Sequence, residues 1–175
     1  MRRNLRRLTL AAILTAAALV MFVIELQLPP LTGIPGVKPG LANIFTLFAL
    51  CWLGRGWALA LMLLRVTLGC ILTGRVTALG YSLAGGLLAF AVMALLLRVI
   101  PERQLWVVSI FGAMAHNIGQ LLVAQFVVGT AAIWYYLPVL LLSAIITGLL
   151  TGLCAQLILK RLRHGRNRNK KGEST

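Results

Sequence analysis

The chain reads as an all-α protein that crosses a membrane about six times, and three observations lead there. Long apolar stretches fill it almost without interruption between Arg7 and Lys160. The composition is 60% hydrophobic and 11% charged, against about 45–50% apolar and about 25% charged in soluble domains. The charges also gather at the flanks: four basic residues lie between Arg2 and Arg7 and seven between Lys160 and Lys171, while the whole chain holds three acids. At 175 residues there is room for one membrane domain, because each crossing takes about 20 apolar residues.

Residues 1–7 form a basic N-terminal flank. The first span, Leu8 to Leu28, is about 31 Å long as a helix, enough to cross, and it stops at Pro29-Pro30. Ala16-Ala17-Ala18 offers a signal-peptidase-like site after the basic start. The apolar run nevertheless continues to Leu28, and cleavage would leave the remaining spans with the wrong parity, so it is expected to stay. Pro29 to Gly40 is turn-rich. Leu41 to Thr73 would be about 50 Å as one helix, too long for a single crossing. Gly54-Arg55-Gly56 is the predicted break, giving spans 41–53 and 57–73 with Trp52 and Trp57 at one interface; a re-entrant hairpin is the alternative. Spans 78–100, 104–128 and 131–159 follow, separated by Thr73-Gly74-Arg75, Pro101-Glu102-Arg103 and Gly129-Thr130. Residues 160–175 form a basic tail, polar from His164 onward and expected to be disordered.

Counting basic residues by side places Arg2–Arg7, Arg55, Arg98, Arg103 and the tail on one face, with Lys38 and Arg75 on the other. Both termini are therefore expected in the cytoplasm and the protein in the plasma membrane. This pattern accounts for the net charge of +14 through membrane flanks and anionic lipid, with no nucleic acid involved. Cys51, Cys70 and Cys154 fall inside apolar runs without metal-ligand spacing, so neither a disulfide nor a metal is expected.

Small residues at four-residue spacing mark packing faces in lipid. Ser82 with Gly86, Gly85 with Ala89, Ala115 with Gly119, and Gly148 with Gly152 read as contacts within the bundle. Ala12 and Ala16 make a smooth patch near the cytoplasm, equally suited to a partner protein. Polar groups within apolar runs need a reason to be there, since a charge at mid-bilayer costs about 2.5–3.5 kcal/mol on insertion scales. Glu25, Asn43, Arg65, His116, Asn117, Gln120 and Gln125 are such groups. Glu25 and Arg65 fit two readings, an ion pair or ligand contacts. His116, Asn117 and Gln120 lie within one turn and a half, so helical spacing aims them into one sector, as the wall of a cavity or as interhelical glue. Lys38, in the Pro/Gly-rich outer segment, is suited to attract an anion.

No chemistry of a familiar kind is encoded. Glu25, Glu102 and Glu173 are too scattered to hold Mg²⁺, and there is no P-loop, G-x-S-x-G or H-E-x-x-H. No enzyme and no cofactor are expected, and energy for transport must come from another protein.

Several blocks carry a resemblance. Glu25-Leu26-Gln27-Leu28-Pro29, Pro35-Gly36-Val37-Lys38-Pro39-Gly40-Leu41-Ala42-Asn43-Ile44, Ser82-Leu83-Ala84-Gly85-Gly86 and Gly112-Ala113-Met114-Ala115-His116-Asn117-Ile118-Gly119-Gln120 together resemble the bacterial Gx transporter family, also described as heptaprenyl diphosphate synthase component I. That family is similar to the six-helix substrate-binding S components of energy-coupling factor (ECF) vitamin transporters. The resemblance implies that Ala12 and Ala16 dock a transmembrane coupling subunit served by ATPase subunits. It also implies a ligand near the outer face, beneath the segment Pro35 to Asn43. Nothing in these blocks selects one vitamin, and the synthase description conflicts with the absence of aspartate clusters. The expectation is an S-component-like subunit binding a small anionic or amphipathic ligand through Glu25, Lys38, Asn43, Arg65, His116, Asn117 and Gln120. The alternative is a membrane subunit of polyprenyl diphosphate metabolism that holds a lipid diphosphate.

Overall fold

The computed structural model describes residues 2–27 and 41–172, and these form helices joined by turns with no strand among them. The helices are α1 (Arg2–Gln27), α2 (Asn43–Trp52), α3 (Arg55–Leu72), α4 (Leu79–Leu96), α5 (Leu105–Val128) and α6 (Leu137–Gly172). Short 3₁₀ turns at Val76–Ala78, Glu102–Gln104 and Ala131–Tyr136 lead into the last three. Five of the helices are long and apolar enough to cross a membrane, and α2 is the shorter apolar one. Ten residues make α2 about 15 Å long, half the hydrocarbon thickness. The six helices match the six expected segments, with α2 corresponding to the short span 41–53.

The breaks have local causes. Gly54 adopts φ 97°, a left-handed conformation that favours glycine, and reverses the chain between α2 and α3 after its N–H and that of Leu53 both bond Ala49 O. α4 ends at Leu96, earlier than the expected Ile100. Its last N–H groups tighten to 3₁₀ spacing, with Arg98 bonding Leu95 O and Val99 bonding Leu96 O, ahead of Pro101, which disfavours helix in the residue before it. Gly129 closes α5 at φ 72°. Pro138 sits in the first turn of α6, where a missing N–H costs no helical bond. α6 continues as helix to Gly172, into the segment from which no regular structure was expected.

Close approach of helix axes organises the bundle. A Cβ at Gly119 would lie 2.7 Å from Ala84 O, and one at Gly152 would lie 2.5 Å from Trp106 Cα, so α5 packs backbone to backbone against α4 on one side and α6 on the other. The core is unevenly divided. At the end carrying Arg55, Arg98 and Arg163, one continuous cluster joins all six helices through Ala11, Leu53, Ala58, Met93, Leu105 and Leu159. At the opposite end it separates into Phe22, Met62, Val66 and Cys70 between α1 and α3, and Leu121, Ala124, Ile133 and Leu140 beside α5 and α6.

The outside of the bundle is apolar as well. Ile13, Val20, Leu64, Phe111, Leu142 and Leu150 are all exposed, a distribution that water would penalise and acyl chains match. The chain is an all-α, multi-pass membrane protein.

Candidate functional site

The level at which the core divides is also where the buried polar residues lie. Asn43 opens α2, about 15 Å from the Gly54 turn. Arg65 is the eleventh residue of α3 and His116 the twelfth of α5, which places both about 15–17 Å from the same end. Glu25, Asn43, Arg65, His116, Asn117 and Gln120 are each between 1% and 7% exposed. Six polar side chains at one depth are a costly arrangement in lipid.

One group of them gathers on α1, α2 and α3. Arg65 Nη2 donates to Asn43 Oδ1 at 3.4 Å. The Glu25 carboxylate accepts the backbone N–H of Leu41, two residues before α2 begins. The first helical bonds of α2 run from Ile44 and Phe45 back to Leu41 O and Ala42 O, so the N–H groups of Ala42 and Asn43 precede any intrahelical partner. The positive end of the helix dipole is thus set in the bundle beside a buried guanidinium. Arg65 Nε, Asn43 Nδ2 and Thr46 Oγ1 are buried without a hydrogen-bond partner among the described residues. Thr46, one turn into α2 and 1% exposed, was not among the expected site residues. Its signal was available: a hydroxyl three residues after Asn43 in an otherwise apolar run.

A second group lies on α5. A Cβ at Gly85 would stand 2.8 Å from His116 O and 3.0 Å from both Gln120 Cγ and His116 Cε1, so His116 and Gln120 face α4. On the neighbouring face of α4, a Cβ at Gly86 would lie 2.9 Å from Met62 Sδ, one turn from Arg65. The Gly85-Gly86 pair thins α4 where α3 and α5 flank it, bringing the two polar groups to either side of the same bare backbone. Asn117 departs from the shared sector predicted for it. Its Nδ2 donates to Leu140 O on α6 at 2.8 Å, because one residue advances about 100° around a helix and turns it away from His116. Gln125, further out, accepts from Trp134 Nε1 at 2.7 Å and ties the outer end of α5 to the turn before α6. Lys38 and the Pro35–Gly40 segment lie outside the described residues. Ala12 and Ala16 are exposed on α1, while Ala11, Thr15 and Ala18 face inward.

Among the described residues no three His, Cys, Asp or Glu side chains share a centre that could hold a metal. What this arrangement offers is recognition: one guanidinium, amide and hydroxyl donors and a helix N-terminus, in surroundings that strengthen each of them.

Comparison with known proteins gives one match. A family model described as heptaprenyl diphosphate synthase component I covers residues 14–158, a range that includes Glu25, Arg65 and the Gly112–Gln120 block. No curated protein and no solved structure matches. The match takes in most of the bundle and the whole polar level from Glu25 to Gln120, and the chain belongs to the heptaprenyl diphosphate synthase component I family.

Proposed function

We propose that this chain is the substrate-binding, S-component-like membrane subunit of a small-molecule uptake transporter. Its ligand is anionic or amphipathic and binds in the outward half, in contact with Glu25, Lys38, Asn43, Arg65, His116, Asn117 and Gln120. Transport is energised by a separate module of ATPase subunits, reached through a transmembrane coupling subunit that docks on Ala12 and Ala16, and the protein works in the plasma membrane without catalysis of its own. The observation that carries this reading is the buried Asn43–Arg65 contact at mid-depth. A structural ion network has no use for amide and guanidinium donors left unbonded, whereas a ligand does. The exposure of Ala12 and Ala16 on α1 supports the docking face, since small residues let a partner helix approach closely.

The test is reconstitution. Vesicles containing this chain and an energy-coupling module take up the ligand when ATP is supplied, and Ala12→Leu with Ala16→Leu abolishes uptake and co-purification of the module while leaving ligand retention intact. Uptake unchanged by the paired leucines rules out the docking face. The family description favours a second reading, a membrane subunit of polyprenyl diphosphate metabolism. Chain elongation from labelled prenyl substrates and Mg²⁺ by this polypeptide alone decides for it.

A further inference from the structure

The start of α2 combines two features that compete for the same kind of partner. The Leu41 N–H and the N-terminal end of the α2 dipole attract an anion, as do the Arg65 guanidinium, Asn43 Nδ2 and Thr46 Oγ1 around them. Arg65 and Asn43 are more than nine-tenths buried, and Arg65 reaches the first residue of α2. The group already placed there is the Glu25 carboxylate, from the far end of α1. A carboxylate and a second anion crowded onto one guanidinium and one helix terminus repel each other strongly in so dry a place.

We infer that Glu25 is a built-in counter-anion: it fills an oxyanion seat at the N-terminus of α2, and a carboxylate or phosphate group of the ligand takes that seat by displacing it from the Leu41 N–H. This deepens the binding-subunit reading and rests on it for the identity of the site. Two consequences follow. With its ligand absent the seat stays electrically balanced, which keeps Arg65 tolerable within the bundle. Stray anions are also turned away, because each must compete with a tethered carboxylate at high effective concentration.

Inorganic phosphate is the probe, and its affinity for the purified full chain is read from the phosphate dependence of the unfolding temperature. Glu25→Gln, which keeps the shape and an acceptor for the Leu41 N–H but removes the charge, is expected to bind phosphate at least tenfold more tightly than the parent. Adding Arg65→Gln is expected to cancel the gain. In the unmodified protein, with leucine amides labelled, the Leu41 resonance moves as phosphate saturates, a readout independent of whether either variant folds. Geranyl diphosphate in micelles forms a parallel arm. A gain for both probes assigns the seat to an oxyanion on either a soluble or a lipid carrier, and a gain for phosphate alone assigns it to soluble ligands. Equal or weaker phosphate binding by Glu25→Gln, a gain that survives loss of Arg65, or a Leu41 amide indifferent to phosphate overturns the inference. The outcome separates from the transport reading: uptake without a phosphate gain removes the seat alone, and a phosphate gain without uptake removes the transporter alone.

Discussion

Replacing Arg65 by Met tests whether the charges at the divided level of the core act as one unit. The guanidinium is 3% exposed and Glu25 4%, so neither has water in reserve. Met retains the length and apolar bulk of the arginine stem. It removes the 3.4 Å contact to Asn43 Oδ1, a long hydrogen bond worth about 1 kcal/mol at most, and it removes the cation that offsets the Glu25 charge. The two opposite charges are buried at the start of α2, and taking one away costs about 3–5 kcal/mol, most of it the penalty on the charge left behind. Glu25→Gln alone incurs a similar penalty on Arg65. The double variant is expected to recover most of both losses, because two neutral side chains of similar volume replace two charges. Thermal or denaturant unfolding of the four proteins in one detergent forms a double-mutant cycle, with an expected coupling of more than half the summed single losses, at least about 3 kcal/mol. Single losses that simply add, within about 0.5 kcal/mol, would show that the two charges are independent.

Four further outcomes are expected. Gly119→Val puts a branched side chain where even a Cβ lies 2.7 Å from Ala84 O; backbone cannot yield as a side chain does, so α4 and α5 must part, at a cost of about 1–3 kcal/mol read by thermal unfolding, and an unchanged midpoint contradicts the packing. Gly54→Ala is expected to lose about 1–2 kcal/mol by the same measurement, from a side chain forced to φ 97°. Ser109→Ala breaks the buried 2.9 Å bond to Thr151 and is expected to cost about 0.6 kcal/mol, the average for hydrogen bonds between membrane helices. Glu102→Gln severs the 2.6 Å bridge to Arg163, yet with both groups about half exposed the loss stays within about 1 kcal/mol; a larger one would mean that the bridge holds α6 in place.

Much of the bundle was legible in the sequence because lipid imposes a simple rule. A helix such as α5 or α6 must present about 20 apolar residues and then stop at glycine, proline or charge, and Gly54, Pro101 and Gly129 do stop the helices. The short span 41–53 was legible too, from the break at Gly54-Arg55-Gly56, but the depth of its first turn was not. Leu41–Leu53 is apolar throughout, and only the tertiary contacts of Glu25 with Leu41 and of Arg65 with Asn43 reveal that its first turn lies at mid-depth. The helical continuation of α6 past Lys160 was also missed, since a polar, basic composition suits a solvated helix and a disordered tail alike.

Within the candidate site, residue type was a better guide than direction. Glu25, Asn43, Arg65, His116, Asn117 and Gln120 are all buried, as polar groups in an apolar run must be. Spacing alone could not tell which neighbour each would face. Asn117 turns to Leu140 while His116 and Gln120 turn to Gly85, because α5 is sandwiched between α4 and α6. Thr46 escaped notice for a related reason: a hydroxyl in a membrane helix ordinarily satisfies itself on its own backbone, as Thr15 and Thr147 do, and only the coordinates show that Thr46 does not.

Native mass spectrometry of gently extracted protein reads whether the buried polar level receives a small molecule. The parent chain is expected to carry one small anionic or amphipathic molecule, and Arg65→Lys to lose it, because an ammonium keeps the charge but not the guanidinium fork. A parent chain that carries no such molecule, or one held equally by Arg65→Lys, would mean that the polar level around Arg65 is not a ligand site.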